Sequence, residues 1–155
     1  MARRRLFCQC GPVCYRISLW KEGARKALAD RRGGVHWSTW RCEEELPVLL
    51  KGHRSPVLRR LTGVDMDLQR SKRTNLALAA ACIDGVVVAP GESFSFWRLV
   101  GKPSARKGYQ DGLTIASGTL GRAVGGGLCQ LANLIHYLVL HSPLTVTELH
   151  HHTDA

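Results

Sequence analysis

The chain has 155 residues, 45% of them hydrophobic, which fits one modest domain able to bury a core and argues against two full domains. The formal net charge is +10, but residues 1–60 hold 14 Lys/Arg against 5 Asp/Glu and residues 61–155 hold 8 against 7, so the basic character belongs to the first part alone. No run reaches the ~18 apolar residues needed to span a bilayer, and Gln9, Gly11 and Pro12 interrupt the stretch that would have to form the apolar core of a signal peptide. The expectation is a cytoplasmic chain without a transmembrane segment.

A basic flank of this kind suits an anionic membrane surface, anionic wall polymers or plain solvation. Nucleic acid is not the expected partner, because no zinc-finger or RNA-binding signature accompanies the charge. Six cysteines stand at 8, 10, 14, 42, 82 and 129 in a chain that is neither small nor cysteine-dense, so reduced thiols are expected. Cys8, Cys10 and Cys14 lack the paired Cys-x2-Cys spacing of structural zinc sites. No metal or cofactor is expected there.

In chain order, glycine and proline break up the first sixty residues, leaving room for a helix over residues 19–31 and a short strand over 46–50. Trp37, Trp40 and His36 are either core anchors or a binding patch. Residues 67–83 carry strong helix formers, with Leu68, Leu76, Ala79, Ala80 and Ile83 on one face, and Asp84-Gly85 supplies the stop. Cys82 on that helix reads as a structural thiol. Val86, Val87 and Val88 predict a buried strand, and the alternation of polar and aromatic residues over 92–97 predicts a half-buried one. Residues 101–112 then form a connecting loop, and Ser117-Gly118 marks a hairpin turn between strands over 113–116 and 119–120.

The most informative run is Gly125-Gly126-Gly127-Leu128-Cys129-Gln130, which leads directly into the apolar residues 131–140. A glycine loop thus delivers one cysteine to a helix start, where free backbone N–H groups and the helix dipole favour a thiolate. Ser142-Pro143 ends that helix, and the Thr- and Val-rich residues 144–152 predict a strand. A helix of about 18 Å followed by an antiparallel strand of 20–26 Å, at roughly 1.5 and 3.3 Å per residue, would return the strand's far end to the helix start. Glu148, His150 and His152 share one strand face, His151 the other. A cysteine at a helix start beside an imidazole is the arrangement of thiol hydrolases and acyltransferases. Cys129 would be the nucleophile, His150 or His152 the base, Asp154 or Glu148 its orienter and Gln130 an oxyanion donor. His136 and His141 fit the helix surface or its C-terminal end, where a cation is favourable. Two other readings stay open: a non-catalytic binding protein, and a zinc site made by Cys129 with the histidines.

These motifs resemble the VanW family, the accessory proteins of some glycopeptide-resistance gene clusters. The resemblance rests on residues 75–80, on Pro90-Gly91-Glu92-Ser93-Phe94-Ser95-Phe96-Trp97, on Tyr109-Gln110-Asp111-Gly112-Leu113-Thr114, on 125–130, and on His141-Ser142-Pro143-Leu144-Thr145 with the histidines after it. It implies a role in vancomycin resistance or the bacterial envelope, with a peptidoglycan precursor or envelope protein as partner; it implies no biochemical activity. Glu92, His150 and His152 fall on the family pattern with 125–130, and Glu92, Tyr109, Gly125, Gly126 and Gly127 are the candidate binding residues. Family members continue past the histidines with further strands, which implies a domain truncated at its C-terminus. The expected architecture is α+β: a basic extension over residues 1–60, then a VanW-like domain over 61–155 with a small, mostly antiparallel sheet packed on two main helices.

Overall fold

The computed structural model describes residues 10–44, 46–58, 66–116 and 119–148. They form an α+β structure and fall into two compact units, one within Met1–Ser38 and Val88–Phe94, the other within Thr39–Val87 and Ser95–Ala155.

The first unit carries helix α1 (Pro12–Arg32) and a two-residue parallel pairing of β1 (His36–Trp37) with β2 (Glu92–Ser93). Helix α1 is longer than the sequence suggested. Gly11-Pro12, which looked like an interruption, is instead its start: proline is pre-set for the first helical turn, where its missing N–H is not needed. The buried Ser38 fastens the chain after β1 to Ser93, giving its backbone N–H and its hydroxyl to the Ser93 carbonyl at 3.0 and 3.2 Å.

The second unit contains α2 (Met66–Ala81), α3 (Phe96–Val100), the antiparallel strands β3 (Asp111–Ala116) and β4 (Thr119–Val124), and α4 (Leu128–Val139). Asp67 in the first turn of α2 suits the positive end of its dipole. At the other end, the Arg41 guanidinium donates to the carbonyls of Ala81 and Cys82 at 3.3 and 2.7 Å, satisfying acceptors that the helix leaves open. The stop predicted at Gly85 is present, with φ +71°. A side chain there would also strike the Cys42 carbonyl, because Cys42 donates its N–H to the Gly85 carbonyl at 2.9 Å.

The expected hairpin is present and longer than expected, β3 starting at Asp111 and β4 running to Val124, with Ala116 opposite Thr119 and Asp111 opposite Val124. Ser117 and Gly118 lie outside the described residues. Ala79, Val100, Tyr109 and Leu128 form the buried core, with Leu76, Leu78, Cys82, Ile83, Phe96 and Leu131 packed around them. This core joins α2 to both the loop before β3 and the start of α4.

Four expected strands are corrected. Residues 46–50 form none, and Leu46, Val48, Leu49 and Leu50 are exposed. The valine run yields an isolated bridge between Val86 and Arg41, since Val87 donates once, to Trp40, and no second strand extends the ladder. In residues 92–97 only Glu92 and Ser93 pair; Phe96 enters α3, where Phe96 and Val100 at helical spacing both reach the core. Residues 144–148 join no ladder, and the histidines that would lie on that strand fall outside the described residues. Beyond the Glu92–Ser93 pairing and the Val86 bridge, the β-rich composition of these stretches found no neighbouring strand among the described residues, and a strand without one leaves its backbone groups unpaired.

Candidate functional site

The glycine loop is held at both ends by backbone and from beneath by one buried side chain. Gly125 donates to the Gln110 carbonyl at 2.9 Å and Gly126 to the Ala123 carbonyl at 3.0 Å. Asn75, fully buried on α2, donates Nδ2 to the carbonyls of Gln110 and Gly126 at 2.9 and 3.0 Å, while its Oδ1 accepts from Gln110 N–H at 2.8 Å. Every hydrogen-bonding direction but one acceptor lone pair of this amide is thereby used. An asparagine in mid-helix competes with the helical backbone, so its presence among strong helix formers was a readable signal of a tertiary role.

Each glycine of the loop answers a different demand. Gly125 adopts φ +81°, and a Cβ on it would stand 2.5 Å from Pro103 Cβ. Gly126 passes directly against the backbone of Gly112 on β3, so neither residue can carry a side chain without moving a strand or the loop. Gly127 adopts φ +94° as the cap residue of α4, over the Lys72 side chain. The triple glycine is a close crossing of backbones rather than a slack turn.

From this crossing the chain turns into α4. Leu128 drops into the core and Cys129, the second helical residue, faces solvent with a free thiol. Of the N–H groups around it, that of Gln130 donates to the Gly127 carbonyl at 3.1 Å, while those of Leu128 and Cys129 are of the kind that a first turn cannot satisfy internally. Gln130, expected to supply an oxyanion donor, directs its amide elsewhere: Nε2 donates to Ser55 Oγ and to the Pro56 carbonyl, both at 3.1 Å. It ties the segment around residue 55 to the first turn of α4, a contact that no sequence spacing indicated.

The remaining candidates separate. Tyr109 lies in the core, 4% exposed, with its hydroxyl without a hydrogen-bond partner among the described residues. Burial pushes its phenol pKa above the usual range, and the neighbouring Cys82 adds to the shift. Glu92 belongs to the first unit, where it closes the turn at Pro90-Gly91; its backbone N–H donates to the Ala89 carbonyl at 2.9 Å and its carboxylate accepts from Ala89 N–H at 3.1 Å. Glu148 is exposed, and His150, His152 and Asp154 lie outside the described residues. Among the described residues no three His, Cys, Asp or Glu side chains converge as a metal site would require.

His136 stands in the last turn of α4 and His141 just beyond its end, the helix-end positions expected for them. His141 places Nδ1 2.8 Å from the Tyr137 carbonyl and packs its ring tilted against Tyr137, centroids 4.4 Å apart, with His53 tilted against the same tyrosine at 4.8 Å. Tyr137 is eight residues beyond Cys129, about 12 Å along the axis at 1.5 Å per residue, so this aromatic group marks the opposite end of the helix.

The family model described as "VanW like protein" matches residues 71–155, more than half of the chain, and takes in Asn75, the loop and α4. The chain belongs to the VanW-like family. Among curated proteins it is similar to the vancomycin B-type resistance protein VanW of Enterococcus faecalis, 44% identical over 106 residues that cover 68% of this chain and 38% of that protein. It is also similar to the uncharacterized protein YoaR of Bacillus subtilis, 37% identical over 84 residues that cover 54% of this chain and 28% of that protein. The matched regions thus span less than two fifths of either relative. No solved structure matches the chain. Within the VanW-like match, the structure gives Asn75 a role that the motif alone did not: it locks the loop that carries Cys129.

Proposed function

We propose that this chain serves glycopeptide resistance or envelope metabolism in the cytoplasm, as a thiol-dependent enzyme acting on amide bonds of peptidoglycan type. The observation that carries the reading is Cys129 itself: solvent-exposed, second in α4, behind a glycine loop that the buried Asn75 holds by one bond to the Gly126 carbonyl and by two to Gln110, whose carbonyl also accepts from Gly125. A loop held this rigidly gives a nucleophile a defined direction of attack, which a cysteine kept only for packing does not need. The resistance role follows the name of the Enterococcus relative and the family match.

In the proposed reaction the Cys129 sulfur, deprotonated by His150 or His152, attacks the amide carbonyl and forms a C–S bond. First-turn N–H groups of α4 stabilise the oxyanion. The C–N bond breaks as the imidazolium returns its proton to the leaving amine, and water or a second amine then takes the acyl group from the thioester. Gln130 acts here by holding the segment at Ser55 against the helix start.

The test is incubation of the purified chain with muropeptides bearing intact stem peptides, followed by mass spectrometry of the products. Amide cleavage or acyl exchange by the wild type that disappears in Cys129→Ser supports the reading. Identical products from both proteins overturn it. Saturable muropeptide binding without turnover, unchanged in Cys129→Ser, would favour a binding protein instead.

A further inference from the structure

Helix α1 plays no part in the site described above, and its surface has an order of its own. None of its residues is buried. Val13, Ile17, Trp20 and Leu28 are 68%, 49%, 76% and 48% exposed, and with Ala24 they follow the spacing i, i+4, i+7, i+11, i+15, which places all five on one face of a helix. Exposed apolar side chains in such a stripe require a partner or a purpose.

The charges around the stripe say which. At 100° per residue, Arg16 and Lys21 lie about 80° and 60° to either side of the stripe's centre, whereas Glu22 and Asp30 lie about 160° and 120° away. Arg31 and Arg32 close the C-terminal turn. The acidic residues are occupied with cations on the far face, Glu22 with Arg25 at 2.8 Å and Asp30 with Lys26 at 3.4 Å. The result is an apolar stripe holding a tryptophan, with cations on its shoulders; behind it lie the carboxylates, each paired with a cation, and the exposed Tyr15 and Leu19. A protein groove would be served by the stripe alone; the flanking cations add complementarity to a surface of anionic headgroups, and a tryptophan prefers the headgroup boundary.

Helix α1 is about 32 Å long at 1.5 Å per residue, enough to cross a bilayer. Yet six Lys/Arg and two Asp/Glu along it prevent that, and no helix among the described residues is long and apolar enough to cross. We infer that α1 lies in the plane of an anionic membrane surface, with Val13, Ile17, Trp20, Ala24 and Leu28 among the acyl chains and Arg16 and Lys21 on the phosphates. This rests on α1 alone and is independent of any chemistry at Cys129.

The experiment is co-sedimentation of the full chain with vesicles of phosphatidylcholine, or of phosphatidylcholine and phosphatidylglycerol at 3:1, in moderate salt. At least tenfold stronger partitioning onto the anionic vesicles is expected. Ile17→Ser with Trp20→Ser, both exposed and so tolerable to the fold, should lower it at least tenfold; Arg16→Glu with Lys21→Glu should do the same, while circular dichroism stays unchanged. Equal or absent partitioning onto both vesicle types overturns the inference. So does anionic binding that survives loss of Ile17 and Trp20, or that a short DNA duplex reproduces with the same insensitivity, since either would mark a general polyanion site rather than a membrane-seated helix.

Discussion

Asn75→Ala should be among the most damaging polar substitutions in the chain. It removes three hydrogen bonds of 2.8–3.0 Å made by a side chain with no solvent exposure. The Gln110 carbonyl keeps a donor, since Gly125 N–H also reaches it at 2.9 Å, but Gln110 N–H and the Gly126 carbonyl lose the contacts Asn75 gives them. At about 1 kcal/mol net per bond the three bonds come to about 3 kcal/mol, and the buried Gly126 carbonyl left without this donor adds to that, so the loss is at least about 3 kcal/mol. That is a large share of the roughly 5–15 kcal/mol that stabilises a whole domain. Asn75→Asp sharpens the test. Its carboxylate can still accept from Gln110 N–H, but it turns an oxygen toward two carbonyls that now receive Nδ2, so at pH 7 it should destabilise at least as much as alanine. Acidification toward the ordinary carboxylate range, near pH 4, restores one donor and should recover part of the loss relative to Asn75→Ala. Urea unfolding followed by circular dichroism measures both, with the exposed Asn133→Ala as a control expected within about 0.5 kcal/mol of wild type. An Asn75→Ala loss below about 1 kcal/mol would refute the view that this side chain fixes the loop.

Other outcomes follow from the same contacts. Gly126→Ala should cost at least about 2 kcal/mol because its Cβ meets the Gly112 backbone, which has nowhere to go; Gly91→Ala, with φ +81° but open space around it, should cost only about 1 kcal/mol, and equal values from denaturant titration would refute the crossing argument. Tyr109→Phe should stabilise by about 1 kcal/mol, since it removes a buried hydroxyl without a partner among the described residues. The raised folded-state pKa of Tyr109 means its stability contribution is complete below the unfolded value near 10 and is lost as pH rises beyond it, so the phenylalanine variant should weaken less between pH 9 and 11. Gln130→Ala should leave global stability within about 1 kcal/mol while speeding hydrogen exchange around residue 55, and unchanged exchange there would show that the Gln130 contact holds nothing in place.

How much of this was legible in the sequence depended on whether a signal was local. Helices α2 and α4 announced themselves through apolar spacing, Asp67 and the glycines at their ends, and the hairpin through its Ser-Gly turn. Of the strands expected over 46–50, 86–88, 92–97 and 144–152, only Glu92–Ser93 forms one among the described residues, because β-branched and aromatic composition signals a pleated surface without naming the neighbour that must complete it. The site divides the same way. Cys129 at a helix start followed from the glycine run, whereas the Gly112–Gly126 crossing, the Asn75 clamp and the Gln130 bridge to Ser55 link residues 14, 51 and 75 positions apart and leave no periodic trace. Tyr109 and Glu92 were candidates through the family motifs they stand in; the structure puts one in the core and has the other close its own turn.

If the loop clamped by Asn75 holds Cys129 in place as a nucleophile, the rate of iodoacetamide alkylation of Cys129, read by peptide mass spectrometry, tests it most directly. At one fixed pH, Cys129 of the folded chain should react at least about tenfold faster than Cys129 of the same chain unfolded in urea, and Asn75→Ala, with the loop released, should lose most of that advantage. A folded-chain rate at or below the unfolded one, unchanged in Asn75→Ala, would contradict that role.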